Sequence, residues 1–458
     1  MKQVSKVAIL GSGVMGSAIA AHFANAGVPA LVLDIVPPGL PEGAGRKERN
    51  ALVDGAVAAM AKSKPSPLFT RDRLKLIETG NFEDDLARLK DADWVVEVVK
   101  EDLGIKLKVL AAAAPHLKPD AWLTSNTSGL SLAAMSDGLP EAVRPRFLGT
   151  HFFNPPRYMK LMELVPGPRT DPATLADVAA FCEVRLGKGI VLAQDTPNFV
   201  ANRIGVHAMM TTFRVMEALG LTVEEVDALT GPAVGRPKTA TFQLADLVGL
   251  DTFLHVAENV HATATADEAR DVFAPPAFLR TMVDKGLLGR KTGGGFYRMV
   301  KGEGEKTILT LDLGTFEYRE KRKAAFPEIE RAKAMDDLAE RLRFLVLGQG
   351  RAGQALWAML APTLSYSAMR VGEICDDASA VDRAIRWGFN WDLGPFETWD
   401  LLGFRAVTER LRADGLPLPA WIDALHADGA ETLYRERDGR RESPTAAPGA
   451  FAPVPVHP

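Results

Sequence analysis

The chain has 458 residues, of which 47% are hydrophobic and 24% are charged, and its formal net charge is −4 at pH 7. This length is enough for roughly two to four domains, and the hydrophobic fraction is typical of globular proteins with well-filled cores. The small net charge excludes a strongly basic surface of the kind that binds nucleic acid, so an anionic ligand has to be held by local groups.

The cysteines and the N-terminal segment indicate the compartment. Cys182 and Cys375 lie in apolar surroundings without metal-ligand spacing. Two buried thiols in a reducing compartment are favoured over a disulfide, which stays open as the alternative. Glycines interrupt the first apolar stretch, which continues into a helical pattern, unlike a signal peptide or a membrane span. We therefore expect a cytoplasmic protein without a membrane span or a metal site.

Residues 6–35 have the pattern of a strand, a helix and a second strand. The apolar run 6–11 predicts a buried strand, and the small and apolar residues after it have helical spacing up to Gly27. A second apolar run follows at 29–35, with Asp34 near its end. The unit predicts two parallel strands joined by a right-handed crossover.

Strands and helices alternate in the same way up to residue 194. Further buried strands are predicted at 74–79, 94–99, 121–126 and 146–153. A breaker-rich segment, 37–45, precedes an amphipathic pattern that predicts a helical arm at about 46–66. We therefore predict an α/β domain with a doubly wound sheet over 1–194, in which ligands bind beyond the carboxyl ends of the strands.

Helical periodicity replaces the strand signal after residue 195. The predicted order is a first helical domain over 195–299, a charged connector with one hairpin over 300–335, a second helical domain over 336–435 and a flexible tail over 436–458.

The two helical regions share a repeated pattern. One set of three residues recurs with the same spacing: Phe242, Asp246 and Gly249 in the first region, and Phe396, Asp400 and Gly403 in the second. A Val-Asp pair lies upstream of each set. Duplication of a helical domain is favoured over a chance match.

A G-x-G-x-x-G pattern lies between the first predicted strand and its helix. Its first glycine allows a tight turn, its second lets a pyrophosphate approach the backbone, and its third lets the helix pack on the strand. Asp34 follows 18 residues after Gly16. A carboxylate there binds the ribose hydroxyls and repels a 2′-phosphate, which favours NAD over NADP. A glycine turn without cofactor is the alternative, and the predicted contacts are Gly11, Ser12, Gly13, Val14, Met15, Gly16 and Asp34.

Polar residues follow two later strands, at 125–129 and 149–165. His151 lies at a predicted strand end, and a loop through two prolines could return Glu163 to its ring. Oxidising an alcohol by hydride transfer needs a base for the hydroxyl proton, and a histidine oriented by a carboxylate serves near neutral pH. A structural histidine is the alternative.

Five motifs occur in one order over roughly residues 5–300: GSGVMG, SNTSGL, GTHFFNPPRYMKLMELV, TPNFVANRI and GRKTGGGFY. Together they resemble the L-3-hydroxyacyl-CoA dehydrogenase family. The later segment VDRAIRWGFNWDLGPFETWDLLG resembles the extra C-terminal copy of multifunctional fatty-acid oxidation proteins. The resemblance implies a Rossmann-like sheet domain followed by two tandem all-α C-terminal domains of this family. Some bacterial members place a hydratase/isomerase module next, and this chain ends where that module would begin.

The resemblance also implies roles for individual residues. His151 and Glu163 match the catalytic histidine and its acid, Ser128 the serine near the substrate hydroxyl and nicotinamide, and Asn202 the asparagine that holds the reacting carbonyl. Further cofactor contacts are implied at Glu101, Lys106, Asn154 and Lys291. In the helical arm Lys62 or Lys64 would bind the CoA phosphates, with a solvated face as an equal alternative. Gly104 and the insertion 37–45 depart from the family pattern.

The function implied is NAD-dependent oxidation of (S)-3-hydroxyacyl-CoA to 3-ketoacyl-CoA in fatty-acid β-oxidation, with the His–Glu pair as general base. The implied partners are an acyl-CoA substrate and a separate enoyl-CoA hydratase or thiolase, and we expect a monomer or loose oligomer. One alternative is a dehydrogenase of free hydroxy acids, although no lysine base stands in a matching motif. Another is a catalytically idle NAD-binding structural or scaffolding subunit, against which the intact site residues argue.

Overall fold

The computed structural model describes residues 2–301 and 306–457, with Lys301 described by its backbone alone. The described residues divide into two compact units. The first runs to Phe199 and includes the segment from Pro455 onward, and the second comprises Val200–Val454. The boundary lies a few residues beyond the one predicted at 194.

The first unit contains an eight-stranded sheet with the order β3-β2-β1-β4-β5-β6-β7-β8. Neighbouring strands are parallel except β6 and β7, which are antiparallel. The six predicted strands are present, whereas β7 and β8 were not predicted. The strands are β1 (Val7–Leu10), β2 (Ala30–Asp34), β3 (Ile77–Asn81), β4 (Trp94–Glu97), β5 (Trp122–Ser125), β6 (Phe147–Phe152), β7 (Leu161–Pro166) and β8 (Gly189–Leu192).

Helices of the first unit cover the sheet and bury aromatic side chains against it. The ring of Phe23 lies 5.2 Å from that of Trp94, which lies 5.9 Å from Phe181, all three being buried. The predicted arm is present as two helices, of which the second buries Val57 and Met60. The helices are α1 (Val14–Asn25), α2 (Arg46–Arg49), α3 (Ala51–Lys62), α4 (Leu103–Ala113), α5 (Leu132–Asp137) and α6 (Pro172–Leu186).

The second unit is mainly helical and contains both predicted helical regions. They lie in one compact unit because the long helix Ala201–Leu219 packs along the helix Arg351–Arg370. Its helices are α7 (Ala201–Leu219), α8 (Val223–Leu229), α9 (Phe242–Val248), α10 (Leu250–Thr263), α11 (Ala277–Asp284), α12 (Pro327–Ala332), α13 (Leu338–Val346), α14 (Arg351–Arg370), α15 (Ala378–Phe389), α16 (Pro395–Leu402), α17 (Phe404–Ala413) and α18 (Ala420–Ala427). In the described part of the chain, none of the helices combines the length and apolar character that a membrane crossing demands.

The sequence repeat corresponds to a repeated hydrogen-bond arrangement. In the first copy the Asp227 carboxylate accepts hydrogen bonds from Phe242 N (2.7 Å) and from the Tyr297 hydroxyl (2.8 Å). In the second copy Asp382 accepts them from Phe396 N (2.8 Å) and from the Tyr434 hydroxyl (2.7 Å). In each copy the aspartate named in the sequence repeat also binds the backbone N–H of that tyrosine: Asp246 to Tyr297 and Asp400 to Tyr434. This matched arrangement supports duplication of the helical region.

A small antiparallel sheet follows each copy, so the flexible tail predicted at 436–458 was wrong over its described residues. The first sheet consists of β9 (Tyr297–Lys301), β10 (Lys306–Leu311) and β11 (Tyr318–Glu320), which includes the predicted hairpin. The second consists of β12 (Arg435–Arg437), β13 (Arg440–Pro444) and β14 (Phe451–Pro453). The composition of the tail is linker-like, but Ser443 is buried and its hydroxyl accepts a hydrogen bond from Ser379 N at the start of α15 (2.9 Å).

Candidate active site

The glycine turn between β1 and α1 has a different constraint at each glycine. Gly11 has φ +109°, and a Cβ there would lie 2.7 Å from the carbonyl oxygen of Val98. A Cβ on Gly16 would lie 1.9 Å from the carbonyl oxygen of Gly11, so the helix approaches the turn too closely for any side chain. A Cβ on Gly13 would meet nothing within 4 Å. The first and third glycines are thus required by the fold, and the second leaves open space at the N-terminus of α1, as a bound pyrophosphate requires.

Asp34 ends β2 beside this turn. Its Oδ2 accepts a hydrogen bond from Ser12 N (2.7 Å) and another from the Ser12 hydroxyl, while Oδ1 accepts one from Ile35 N (2.7 Å). Val14 and Met15 begin α1, with Val14 75% exposed. The carboxylate is therefore anchored next to the glycine turn, at the position that a ribose-binding acid occupies in dinucleotide folds.

His151 and Glu163 face each other across β6 and β7. They are directly paired in the antiparallel register, and His151 Nδ1 lies 2.7 Å from Glu163 Oε2. Glu163 is completely buried, and His151 is 6% exposed beside the ring of Phe153, at 4.6 Å. Because the carboxylate accepts a hydrogen bond from Nδ1–H, the lone pair of the neutral ring lies on Nε2, the atom that a proton acceptor needs.

Lys188, which the sequence analysis missed, donates hydrogen bonds to the loop between these two strands. The Lys188 ammonium donates hydrogen bonds to the carbonyl oxygens of Met159 (2.9 Å) and Pro156, and it is 4% exposed. Burial lowers the pKa of Lys188 to about 8. A lysine immediately before an apolar run such as Gly189–Leu192 was the available signal, because a lysine is rarely buried without partners.

The ends of β4 and β5 are joined by a charged cluster in which Glu97 and Lys106 are buried and Glu101 is partly exposed. Ser128 donates hydrogen bonds to Glu101 Oε1 from its backbone N–H (2.7 Å) and its hydroxyl (3.0 Å). Lys106 is 1% exposed, and its ammonium lies 3.1 Å from Glu101 and 2.9 Å from Glu97. The structure thus brings Ser128, Glu101 and Lys106 together. Glu97 was missed, although a charged residue inside the apolar run 94–99 signalled it.

The other predicted residues of the first unit lie on its surface. Asn154 is exposed just beyond β6, and Lys62 and Lys64 are exposed at the end of the helical arm. Among the described residues, no group of three or more His, Cys, Asp or Glu side chains is arranged to hold a metal ion. Cys182 and Cys375 are both buried free thiols, as favoured from the sequence.

Two predicted site residues belong to the second unit. Asn202 lies in the first turn of α7 and is partly buried. Lys291 lies in a short 3₁₀ turn, where its ammonium forms an ion pair with Asp251.

These features define the class of protein, a dinucleotide-binding α/β protein with a positioned base. The features are a glycine turn before α1, an acid at the end of β2 and a His–Glu pair at the carboxyl end of β6. Models of two domains of the 3-hydroxyacyl-CoA dehydrogenase family match the chain, the NAD binding domain over residues 6–196 and the C-terminal domain over 199–299. The chain belongs to the 3-hydroxyacyl-CoA dehydrogenase family.

Individual relatives agree with this assignment. A probable 3-hydroxyacyl-CoA dehydrogenase of Bacillus subtilis is 46% identical over 446 residues, which cover 96% of this chain and 56% of the relative. One of Deinococcus radiodurans with the same description is 45% identical and is covered over 84% of its length, against 66% of this chain. The crystal structure of 3-hydroxybutyryl-CoA dehydrogenase from Escherichia coli has the same fold, with a TM-score of 0.66 at 22% identity over 93% of this chain and 99% of that one. The chain spans only about half the length of the Bacillus subtilis relative.

Proposed function

We propose that the protein oxidises the 3-hydroxyl of an (S)-3-hydroxyacyl-CoA thioester to a ketone, with NAD⁺ as the oxidant. The observation that carries this proposal is the 2.7 Å contact between His151 Nδ1 and Glu163, which leaves Nε2 available as a base. The names of the Bacillus subtilis and Deinococcus radiodurans relatives support the same reaction.

The residues present fit a dinucleotide at the glycine turn. The open space at Gly13 allows a pyrophosphate to reach the N-terminus of α1, and Asp34 would receive the ribose hydroxyls. When bound, NAD⁺ supplies the acceptor for the hydride that leaves C3 of the substrate. Asn154 and Glu101 are proposed as further contacts on the cofactor side.

The proton of the reaction goes to the protein. The 3-hydroxyl hydrogen-bonds His151 Nε2, which takes its proton as the C3–H bond breaks, and Ser128 helps to hold that oxygen. Glu163 keeps the ring in the productive tautomer and stabilises the imidazolium that forms. In the reverse direction the protonated ring polarises the ketone.

The substrate defines the neighbouring reactions. A 3-hydroxyacyl thioester is formed by hydration of a 2-enoyl thioester, and its ketone is cleaved by thiolysis. We propose that the protein acts within fatty-acid β-oxidation, beside a separate enoyl-CoA hydratase or thiolase. One of the exposed arm lysines, Lys62 or Lys64, is proposed to bind phosphates of the CoA moiety.

The test is reduction of acetoacetyl-CoA by NADH, followed by the loss of absorbance at the NADH band. His151→Gln removes the base and should lower kcat by about 10³-fold or more while leaving the Kd for NADH nearly unchanged. Glu163→Gln should cause a smaller but still large loss, because orientation rather than proton transfer is removed.

Three outcomes would count against this function. Wild-type turnover in His151→Gln would refute the assignment of the base. Binding of NADH without any turnover in the wild-type protein would favour a scaffolding subunit. Faster oxidation of a free 3-hydroxy acid than of its CoA thioester would show that the substrates are free hydroxy acids rather than CoA thioesters.

A further inference from the structure

Glu97, at the end of β4, is a fully buried carboxylate to which the proposed reaction gives no role. Its Oε1 accepts hydrogen bonds from Val99 N (2.7 Å) and Lys106 Nζ (2.9 Å). Its Oε2 accepts from the Ser125 hydroxyl and again from Lys106 Nζ, at 3.1 Å. Both oxygens are therefore engaged, at a residue that is 0% exposed.

Lys106 connects this carboxylate to a second one. It projects from the first turn of α4, and its ammonium contacts Glu97, Glu101 and the carbonyl oxygen of Val99, the last at 3.3 Å. A buried ammonium is tolerated only where anionic and hydrogen-bonding partners surround it. The three side chains thus form a chain of alternating charge, with Lys106 in the middle.

Glu101 connects Lys106 to the residues that follow β5. Its Oε2 faces Lys106, which leaves Oε1 to accept hydrogen bonds from the Thr127 hydroxyl (2.7 Å) and from the N–H and hydroxyl of Ser128. Burial alone would raise the pKa of Glu101, but the charge of Lys106 and the hydrogen bond from Thr127 hold it below its ordinary value. The acid is therefore kept as an anion that orients Ser128.

We propose that Glu97 is a positioning residue for the reaction, acting through Lys106 and Glu101 on the hydroxyl of Ser128. This inference rests on the proposed function, because Ser128 is the group that holds the reacting oxygen there. Glu97 itself touches neither substrate nor cofactor in this scheme.

The geometry explains how the effect would travel. In Glu97→Gln, Glu101 is the carboxylate that remains beside Lys106 among the described residues, and the ammonium is drawn more strongly to it. Oε1 of Glu101 then turns from Ser128 toward the ammonium, because the charged pair is stronger than a bond to a neutral hydroxyl. Ser128 loses its fixed orientation while its own side chain is unchanged.

The experiment is a double-mutant cycle with Glu97→Gln and Ser128→Ala, measured as kcat and KM for acetoacetyl-CoA with NADH. Glu97→Gln alone should lower kcat by about 10- to 100-fold, the usual range for a lost partner of a catalytic group. In the Ser128→Ala background the same substitution should change kcat by less than about twofold, since its effect passes through Ser128. Equal losses in both backgrounds, or none in either, would overturn the proposal.

Glu78→Gln provides the matched control. It removes an ion-paired carboxylate from β3 of the same sheet, where Glu78 lies 3.3 Å from Lys6, and it should leave kcat unchanged. If Glu97→Gln fails to fold, Ser125→Ala removes one donor to Glu97 instead. Ser125→Ala is then expected to lower kcat by about threefold in the wild-type background and to have no effect in the Ser128→Ala background. The same loss of kcat in both backgrounds would contradict the inference.

The result also separates this inference from the function on which it rests. An inactive wild-type protein refutes the function. If the wild-type protein is active but Glu97→Gln lowers kcat equally with and without Ser128→Ala, only the role of Glu97 is refuted.

Discussion

Lys188 shows how a single buried charge fixes the geometry beside the candidate base. Its ammonium donates hydrogen bonds to carbonyl oxygens of the loop that connects His151 to Glu163, and no carboxylate of the described residues forms an ion pair with it. The titratable groups close to it are Cys182 and His22. The lysine therefore contributes hydrogen bonds to the loop at the cost of a desolvated charge.

This cost predicts a dependence of stability on pH. Because the pKa of Lys188 falls from 10.5 when unfolded to about 8 when folded, the unfolded state binds more protons between these values. Stability therefore rises with pH across that window, by at most about 3 kcal/mol from this group. The free energy of unfolding of the wild-type protein should increase relative to Lys188→Met from pH 8 to 10.5 in urea titrations.

Lys90→Met, at an exposed lysine, is the control for this measurement and should show no such slope. A constant difference between wild type and Lys188→Met across the window would contradict the burial of Lys188 as a cation.

At the scale of elements, the glycines of the β1–turn–α1 segment meet two different requirements, helix packing and access for a ligand, and the glycine pattern alone does not tell which glycine meets which. Gly16 serves the packing of α1 against the turn, whereas Gly13 faces open space with an ordinary φ of −54°. An alanine at Gly13 thus fits the free protein, and one at Gly16 does not.

The two glycines should therefore differ when each is replaced by alanine. Gly16→Ala should lower the free energy of unfolding by at least about 2 kcal/mol, because its Cβ would meet a backbone oxygen that cannot move cheaply. Gly13→Ala should keep the wild-type Tm but raise the Kd for NADH by about tenfold or more, since the methyl group occupies the approach of the pyrophosphate. Thermal melts and NADH fluorescence titrations measure the two quantities, and unchanged NADH affinity in Gly13→Ala would argue against this turn as the cofactor site.

At the scale of the whole molecule, the second unit contains two copies of one arrangement. Each copy contains an aspartate that accepts a hydrogen bond from a tyrosine hydroxyl, Asp227 from Tyr297 and Asp382 from Tyr434. Both copies lie within Val200–Val454, a single compact unit. The duplication therefore enlarges one folded unit rather than adding a separate one.

Removing either hydroxyl should consequently destabilise the same cooperative transition. Tyr297→Phe leaves the partly buried Asp227, and Tyr434→Phe the buried Asp382, short of one hydrogen-bond donor, at a cost of about 1–3 kcal/mol. Calorimetry should show a single unfolding transition of the second unit, and its Tm should be lower in both variants than in the wild-type protein. Tyr318→Phe, which removes a hydrogen bond to the carbonyl oxygen of Gly295, is the control with a smaller expected effect. An early separate transition in Tyr434→Phe alone would show that the copies unfold independently.

The sequence by itself determined the sheet domain, the glycine turn, the acid at the end of β2 and the histidine at the end of β6. These features depend on local patterns: buried apolar runs, helical spacing, and glycines where the backbone needs a positive φ or a close approach. The duplicated helical region was visible for the same reason, since identical spacings such as that of Asp246 and Asp400 survive in the chain.

Only the tertiary structure decided which distant groups meet. The sequence allowed Glu163 to return to His151, but the antiparallel register of β6 and β7 is what sets them opposite each other. The charged cluster of Glu97, Lys106 and Glu101 required the ends of β4 and β5 to be adjacent. The second small sheet escaped prediction because its strands are stabilised by pairing and by burial against α15, not by their own composition. Local propensity is a weak constraint on short strands, and contacts between residues far apart in the chain override it.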